Sequence, residues 1–213
     1  MLDYDLEAAR YDETRGGLPR ARAAAEAVHG LVGGVADGGT LLDVACGTGL
    51  VSAQLAARGL RVLGVDASAG MARIAAGRVG VALGDARRLP VRDGAVEAVT
   101  TIWLLHLLDD ARPVIAEAGR VLRHGGVFVT TVDKRASHGP GGRPDPSDRA
   151  GTVVAEAARH GLRASGEATF TGHGQGGAGP DPVFRLLAFR RVLTRGSGMK
   201  RPGTPSQPLR LPQ

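Results

Sequence analysis

Among its 213 residues the chain has one cysteine, Cys46, only two lysines and 3% aromatic residues. A lone thiol excludes an intramolecular disulfide and a multi-cysteine metal centre. The histidines at 29, 106, 124, 138, 160 and 173 show no ligand spacing, so no metal is expected. So few aromatic rings leave no base-stacking platform of the single-strand-binding kind. The first lysine is Lys134, which removes the Gly-Lys-Ser/Thr step of a phosphate-cradling loop. No apolar run is long enough to cross a bilayer, and the start, Met1-Leu2-Asp3-Tyr4-Asp5, is acidic rather than a basic, apolar export signal; no membrane partner and a cytoplasmic location are expected.

The formal charge of +6 is unevenly spread. All 21 acids precede residue 183, whereas Arg185, Arg190, Arg191, Arg195, Lys200, Arg201 and Arg210 follow it, so the first 182 residues are close to neutral. A body that tracks nucleic acid is therefore not indicated. Residues 196–213 read as a basic, Pro- and Gly-rich, disordered tail, and residues 1–195 as one domain. With 43% hydrophobic residues, that length buries a substantial core of Ala, Val and Leu.

The informative stretch is Leu41-Leu42-Asp43-Val44-Ala45-Cys46-Gly47-Thr48-Gly49-Leu50. It joins an apolar strand to a helix through a turn without bulky side chains, where backbone approaches a ligand closely. Val62-Leu63-Gly64-Val65-Asp66 is a second apolar strand ending in a carboxylate, near the separation at which nucleotide-binding α/β folds place a ribose-binding acid. Both point to an adenosine-containing cofactor. A dinucleotide fingerprint requires a third glycine at position 52, where this chain has Ser52.

The Asp-x-x-x-Gly-x-Gly arrangement, the acid at 66 and Gly84-Asp85-Ala86 after a third apolar run resemble the class I S-adenosylmethionine-dependent methyltransferases, in particular the small-molecule, menaquinone-type branch. The resemblance covers residues 4–135. It implies that Asp43 helps hold the methionine portion of S-adenosylmethionine through its ammonium group, and that Gly47 and Gly49 meet the cofactor with backbone. Ala45 stands where the commoner motif has its first glycine, and Cys46 follows as a structural or lining residue. The resemblance further implies that Asp66 bridges the ribose hydroxyls, that Ala67 and Met71 pack the adenine, and that Asp85 and Ala86 recognise its edge. Tyr11-Asp12-Glu13-Thr14-Arg15 is similar to the family's N-terminal Tyr-Asp stretch, which folds over the cofactor. Tyr11 is then the capping residue and Arg15 a contact to an anionic group.

Coarse patterning predicts helices at 18–33, 50–58, 68–77, 109–122 and 148–160, with Gly125-Gly126 ending the fourth. Strands are expected at 40–45, 61–66, 79–83, 95–102, 127–132, 163–171 and 183–191. This is a single α/β, doubly wound, mostly parallel seven-stranded sheet with flanking helices and a terminal antiparallel strand pair, a Rossmann-like fold. The glycine-rich residues 172–179 read either as a hairpin connection or as a cover over the substrate.

A sulfonium methyl needs an acceptor held in line, so the protein contributes alignment, exclusion of water and, for oxygen or nitrogen acceptors, proton removal. His106, beyond the fourth strand in Thr101-Ile102-Trp103-Leu104-Leu105-His106, is the candidate base or a lining residue, and Trp103 lines the cofactor or acceptor pocket. The expected acceptor is an oxygen, nitrogen or carbon atom of a small metabolite, because the Asn/Asp-Pro-Pro-Tyr/Phe motif of amino-group methylation is absent after the fourth strand. The arginine- and glycine-rich composition points to a high-GC bacterial source. Two other readings stay open at this point: an NAD-type Rossmann oxidoreductase, and a noncatalytic cofactor-binding or RNA-associated module that uses the basic tail.

Overall fold

Apolar runs without polar alternation belong to strands covered on both faces, and the central strands here are of that kind. The structure, a computed structural model, describes residues 3–33, 38–138, 147–177 and 179–192. Seven strands, β1 (Thr40–Val44), β2 (Arg61–Asp66), β3 (Gly80–Leu83), β4 (Val96–Thr101), β5 (Leu122–Val132), β6 (Leu162–Thr171) and β7 (Val183–Arg191), form one sheet in the order β3-β2-β1-β4-β5-β7-β6. The first five are parallel, and β7 inserts antiparallel between β5 and β6. Strand order reverses between β1 and β4, so the crevice for a ligand lies outside the carboxyl ends of those two strands.

The helices are α1 (Tyr4–Glu7), α2 (Tyr11–Thr14), α3 (Gly17–Val32), α4 (Leu50–Ala56), α5 (Ala69–Ala75), α6 (Arg112–Val121) and α7 (Ala150–Arg159). Adjacent residues of one strand feed opposite faces. Leu41, Ala98 and Val129 pack with Ala24, Val28 and Leu55 of α3 and α4. Leu42, Val99 and Phe128 pack with Ile115, Ala118 and Val153 of α6 and α7. A side chain lost from either layer costs about 2–5 kcal/mol, because the dense surroundings close only partly over the gap.

The fourth helix departs from the expected 109–122. Pro113 is confined to a first turn, since deeper in a helix its ring meets the carbonyl four residues back. The helix accordingly begins at Arg112, whose N–H donates to the Asp110 side chain at 2.9 Å. At its other end Leu122 is already extended and opens β5, pairing with Val96. The partner of β4 then jumps from Leu122 to Val127, so Gly125-Gly126 lie in an irregularity inside β5 rather than at a helix end. The tail expected at residues 196–213 lies outside the described residues.

The glycine-rich connection between β6 and β7 is held locally in its described part. Gln175 and Gly176 donate their N–H groups to Asp181 at 3.0 Å, and Gly172 donates to the Pro182 carbonyl at 2.7 Å. It also packs on the turn before α3. Gly16 there has φ of +80°, and any Cβ at that position would overlap the carbonyl oxygen of His173.

Among the described residues, three that are not glycine have left-handed backbone, Ala45 (φ 59°), Trp103 (59°) and Asp133 (51°). They follow the ends of β1, β4 and β5, so the unfavourable conformations gather at one edge of the sheet, as they do at binding sites. Ala45 has no polar side chain to offset its conformation. Ala45→Gly is expected to stabilise the ligand-free protein by about 1 kcal/mol, the cost of a left-handed Cβ; a thermal melt that does not rise would contradict this.

Candidate active site

From Val44 the turn Ala45-Cys46-Gly47-Thr48-Gly49 leads into α4. Gly47 and Gly49 take φ of 57° and 75°, values that suit glycine. Asp66, the last residue of β2, ties this turn to the neighbouring strand. One of its oxygens accepts from the Gly47 N–H at 2.7 Å and the other from the Ser68 N–H at 2.9 Å. Burial raises its carboxyl above the usual range, against the pull of those N–H groups.

Asp43 lies deeper, 3% exposed, at the carboxyl end of β1. The Ser52 hydroxyl donates to one oxygen at 2.5 Å and the Thr100 hydroxyl to the other at 2.8 Å. Burial pushes its carboxyl up to about 6, and the two hydroxyls oppose that shift.

Two cavities open on this edge. The smaller, about 60 Å³, is lined by Asp43, Cys46, Thr48, Arg15 and Arg20 among others. The larger, about 690 Å³, is lined by Asp66, Ala67, Met71, Asp85, Ala86 and a stretch after β4 that includes Leu104 and Leu107. Tyr11, Ala45, Gly47, Ile102 and Trp103 border both, so the two are compartments of one crevice. Asp43 serves one compartment and Asp66 the other.

The N-terminal segment forms the wall facing the sheet edge. Asp5 accepts from the Ser68 hydroxyl at 2.6 Å and the Gly70 N–H at 2.7 Å. Asp12 accepts from the Thr48 hydroxyl at 2.6 Å and from Arg78 at 2.8 Å. These anchors hold Tyr4 and Tyr11 on the larger compartment, their ring centroids 6.3 Å apart.

Most residues singled out in the sequence therefore meet at the crevice, with three qualifications. Gly49 lines neither compartment and instead turns the chain into α4 with its backbone. Asp85 is at the rim with both oxygens turned to Arg87, which holds its carboxyl below the ordinary range. His106 is in a one-turn helix, Leu105–Leu107, and borders neither compartment, so its reading as a base gains no geometric support. Burial pushes the Cys46 thiol far up, which leaves it a wall and not a nucleophile.

Sequence reasoning missed Arg20, and it took Tyr4 only as the start of an N-terminal segment, Tyr4–Arg15, expected to wall the acceptor pocket. The signal for Arg20 was its place on the apolar stripe of α3, in line with Ala24, Val28 and Val32, all buried. Its guanidinium carbon lies 3.6 Å from the centroid of the Trp103 ring, and it donates to the Arg15 carbonyl at 2.6 Å. Trp103 is fixed in turn by edge-on contacts to Phe170 and Phe184 and by its backbone N–H, which donates to the Thr131 hydroxyl at 2.7 Å.

Residues 42–130 match the Methyltransferase domain family. The chain is 42% identical over 99 residues to the ubiquinone/menaquinone biosynthesis C-methyltransferase UbiE of Acidiphilium cryptum, a match covering 42% of this chain and 40% of that protein. It is 34% identical over 142 residues to the demethylmenaquinone methyltransferase of Renibacterium salmoninarum, covering 64% and 60% respectively. The matches thus span less than two thirds of these relatives. The fold is similar to that of a geranyl diphosphate methyltransferase solved with S-adenosylmethionine, at a TM-score of 0.63 and 22% identity, covering 80% of this chain and 85% of that one. The strand order, the glycine turn between two acidic strand ends and these likenesses make residues 42–130 similar to the methyltransferase domain of the class I S-adenosylmethionine-dependent methyltransferases.

Proposed function

We propose that residues 1–195 form a catalytic domain that moves a methyl group from S-adenosylmethionine to an oxygen, nitrogen or carbon atom of a small metabolite. The carrying observation is the two-part crevice with one carboxylate in each part. The donor set fits the cofactor: a buried acid in the narrow part for an ammonium group, and an acid at the end of β2 for a ribose diol. The slot between Met71, Ala67 and Ala86 suits a purine. When bound, the cofactor supplies an electrophilic methyl on a sulfonium. The residues of this chain then bind, orient and exclude water. Asp66 and Asp43 set the position of the nucleoside, Tyr4 and Tyr11 cover it, and Trp103 stands between the two compartments as a wall for the acceptor.

The relatives named as quinone methyltransferases support a small-molecule acceptor and a bacterial enzyme. Among the described residues no helix is long and apolar enough to cross a membrane, which suits our reading of a cytoplasmic enzyme. Nothing in the site favours a nicotinamide dinucleotide, since Ser52 occupies the third-glycine position and its hydroxyl is committed to Asp43.

Four outcomes test this reading. S-adenosylhomocysteine is expected to raise the melting temperature while NAD does not, because only a ligand selective for the folded state stabilises it; Asp66→Ala is expected to weaken S-adenosylhomocysteine at least tenfold, given about 1.5–3 kcal/mol for each hydrogen bond to a charged group. Cofactor affinity should fall below pH 6, by up to tenfold per unit, because protonation of Asp43 removes the charge that holds the ammonium group; calorimetry between pH 5 and 8 checks this, and Asp43→Asn should flatten the profile. His106→Ala is expected to leave cofactor affinity within about twofold, because its ring borders neither compartment; a larger loss in the same titration would return it to the site.

A further inference from the structure

We propose that the outer edge of β3 is an interface with a second copy of this chain. The two β3 strands pair antiparallel across a two-fold axis at Ala82. The two edges of the sheet differ in how they are protected. The β6 edge carries the exposed charges Arg163 and Glu167 and an irregularity between Ala164 and Gly166, devices that discourage a further strand. The β3 edge, Gly80-Val81-Ala82-Leu83, has no charge, no proline and an unbroken register with β2. Leu83 is 62% exposed, and Leu63 on the neighbouring β2 is 39% exposed. Among the described residues nothing pairs with the outer side of β3.

The backbone selects the register. Gly84 donates its N–H to the Asp66 carbonyl at 2.9 Å, so it faces β2. Successive residues of a strand turn their N–H and C=O to opposite sides, so Gly80 and Ala82 also face β2, while Val81 and Leu83 present theirs to the open side. With Ala82 on the axis, Val81 of each copy lies opposite Leu83 of the other and the pair exchanges both hydrogen bonds, which uses every outward group of the strand. Placing Val81 on the axis would set Leu83 opposite Val79, whose N–H already donates to the Ala75 carbonyl at 2.9 Å. Placing Leu83 there would require the Asp85 carbonyl, which accepts from the Arg88 N–H at 2.9 Å.

Side chains agree with this register. On one face of the joined sheet Val81 meets Leu83 of the other copy on both sides of the axis. On the other face Ala82 meets its counterpart, flanked by Leu63, whose side chain leans over Gly80 so that a Cβ there would come within 3.1 Å of it. Apolar side chains now in water are thereby covered on both faces. No like charges are opposed, and Asp85 falls opposite Val79, beside Arg78 of the other copy. Because the strands run antiparallel, the two crevices open at opposite ends of the joined sheet.

Four residues a side make a small contact, so association is weak and depends on concentration. Sedimentation velocity of the full chain from about 1 to 500 μM follows it, and the wild type is expected to pass from one chain to two across that range. Ala82→Lys and Ala82→Glu each set like charges face to face on the axis and are expected to weaken association about fivefold or more, while their equimolar mixture restores it. Ser165→Lys, on the β6 edge, is expected to change nothing. A wild type that stays single throughout overturns the proposal and leaves this edge to another protein or to none. So does a dimer that survives both Ala82 variants or that Ser165→Lys dissociates, since the contact then lies elsewhere. A mixture that associates no better than the separate variants, each melting as the wild type does, also overturns it. Should either Ala82 variant fail to melt cooperatively, Leu83→Lys decides: lost association with an unchanged melt supports the interface, and retained association overturns it.

Discussion

The buried carboxylate of Asp43 is the constraint around which the site is arranged. A charged group taken out of water needs partners, and here they are hydroxyls from two different elements, Ser52 on α4 and Thr100 on β4. Those two bonds join the strand, the helix that follows it and the neighbouring strand at the point where the sheet order reverses. The same serine stands where a dinucleotide fold has its third glycine. One position thus marks both the loss of a pyrophosphate-binding turn and the gain of a clamp on the acid. The two hydroxyls hold the carboxylate while leaving it on the wall of the narrow compartment, where an ammonium group is a better partner than either of them.

Much of this was legible in the residues before any coordinates. Leu41-Leu42-Asp43 and Val62 to Asp66 announced parallel strands through unbroken apolar character, and the glycines at 47 and 49 announced the turn between layers. What stayed hidden depends on contacts far apart in sequence. Arg20 gives no signal of its own until the stripe formed with Ala24, Val28 and Val32 is seen to bury it against Trp103. His106 reads as a base because it follows a strand end, but a single helical turn puts it outside both compartments. Gly125-Gly126 read as a helix stop because the pair so often is one. Only the pairing of Leu122 with Val96 shows that the strand has already begun.

The distribution of charge has a physical logic of its own. The excess of arginine over acid lies late in the sequence, yet the cations that matter to the crevice, Arg15 and Arg20, come early and sit in a nearly neutral body. A total charge or an isoelectric point would have sent attention to the wrong end of the chain. Burial against Trp103 singles out Arg20 better than abundance does.

The contact between Gly16 and the carbonyl of His173 joins regions near opposite ends of the described chain. Such a contact forms late in folding, because its closure entropy is repaid only when the sheet between the two regions exists. During synthesis the wall carrying Tyr11 and Arg15 emerges first but gains its outer support only after β6 has left the ribosome. The ligand crevice is therefore among the last parts of the molecule to become complete, and a nascent chain still lacking its final hairpin would have the nucleoside-binding strands without a finished enclosure.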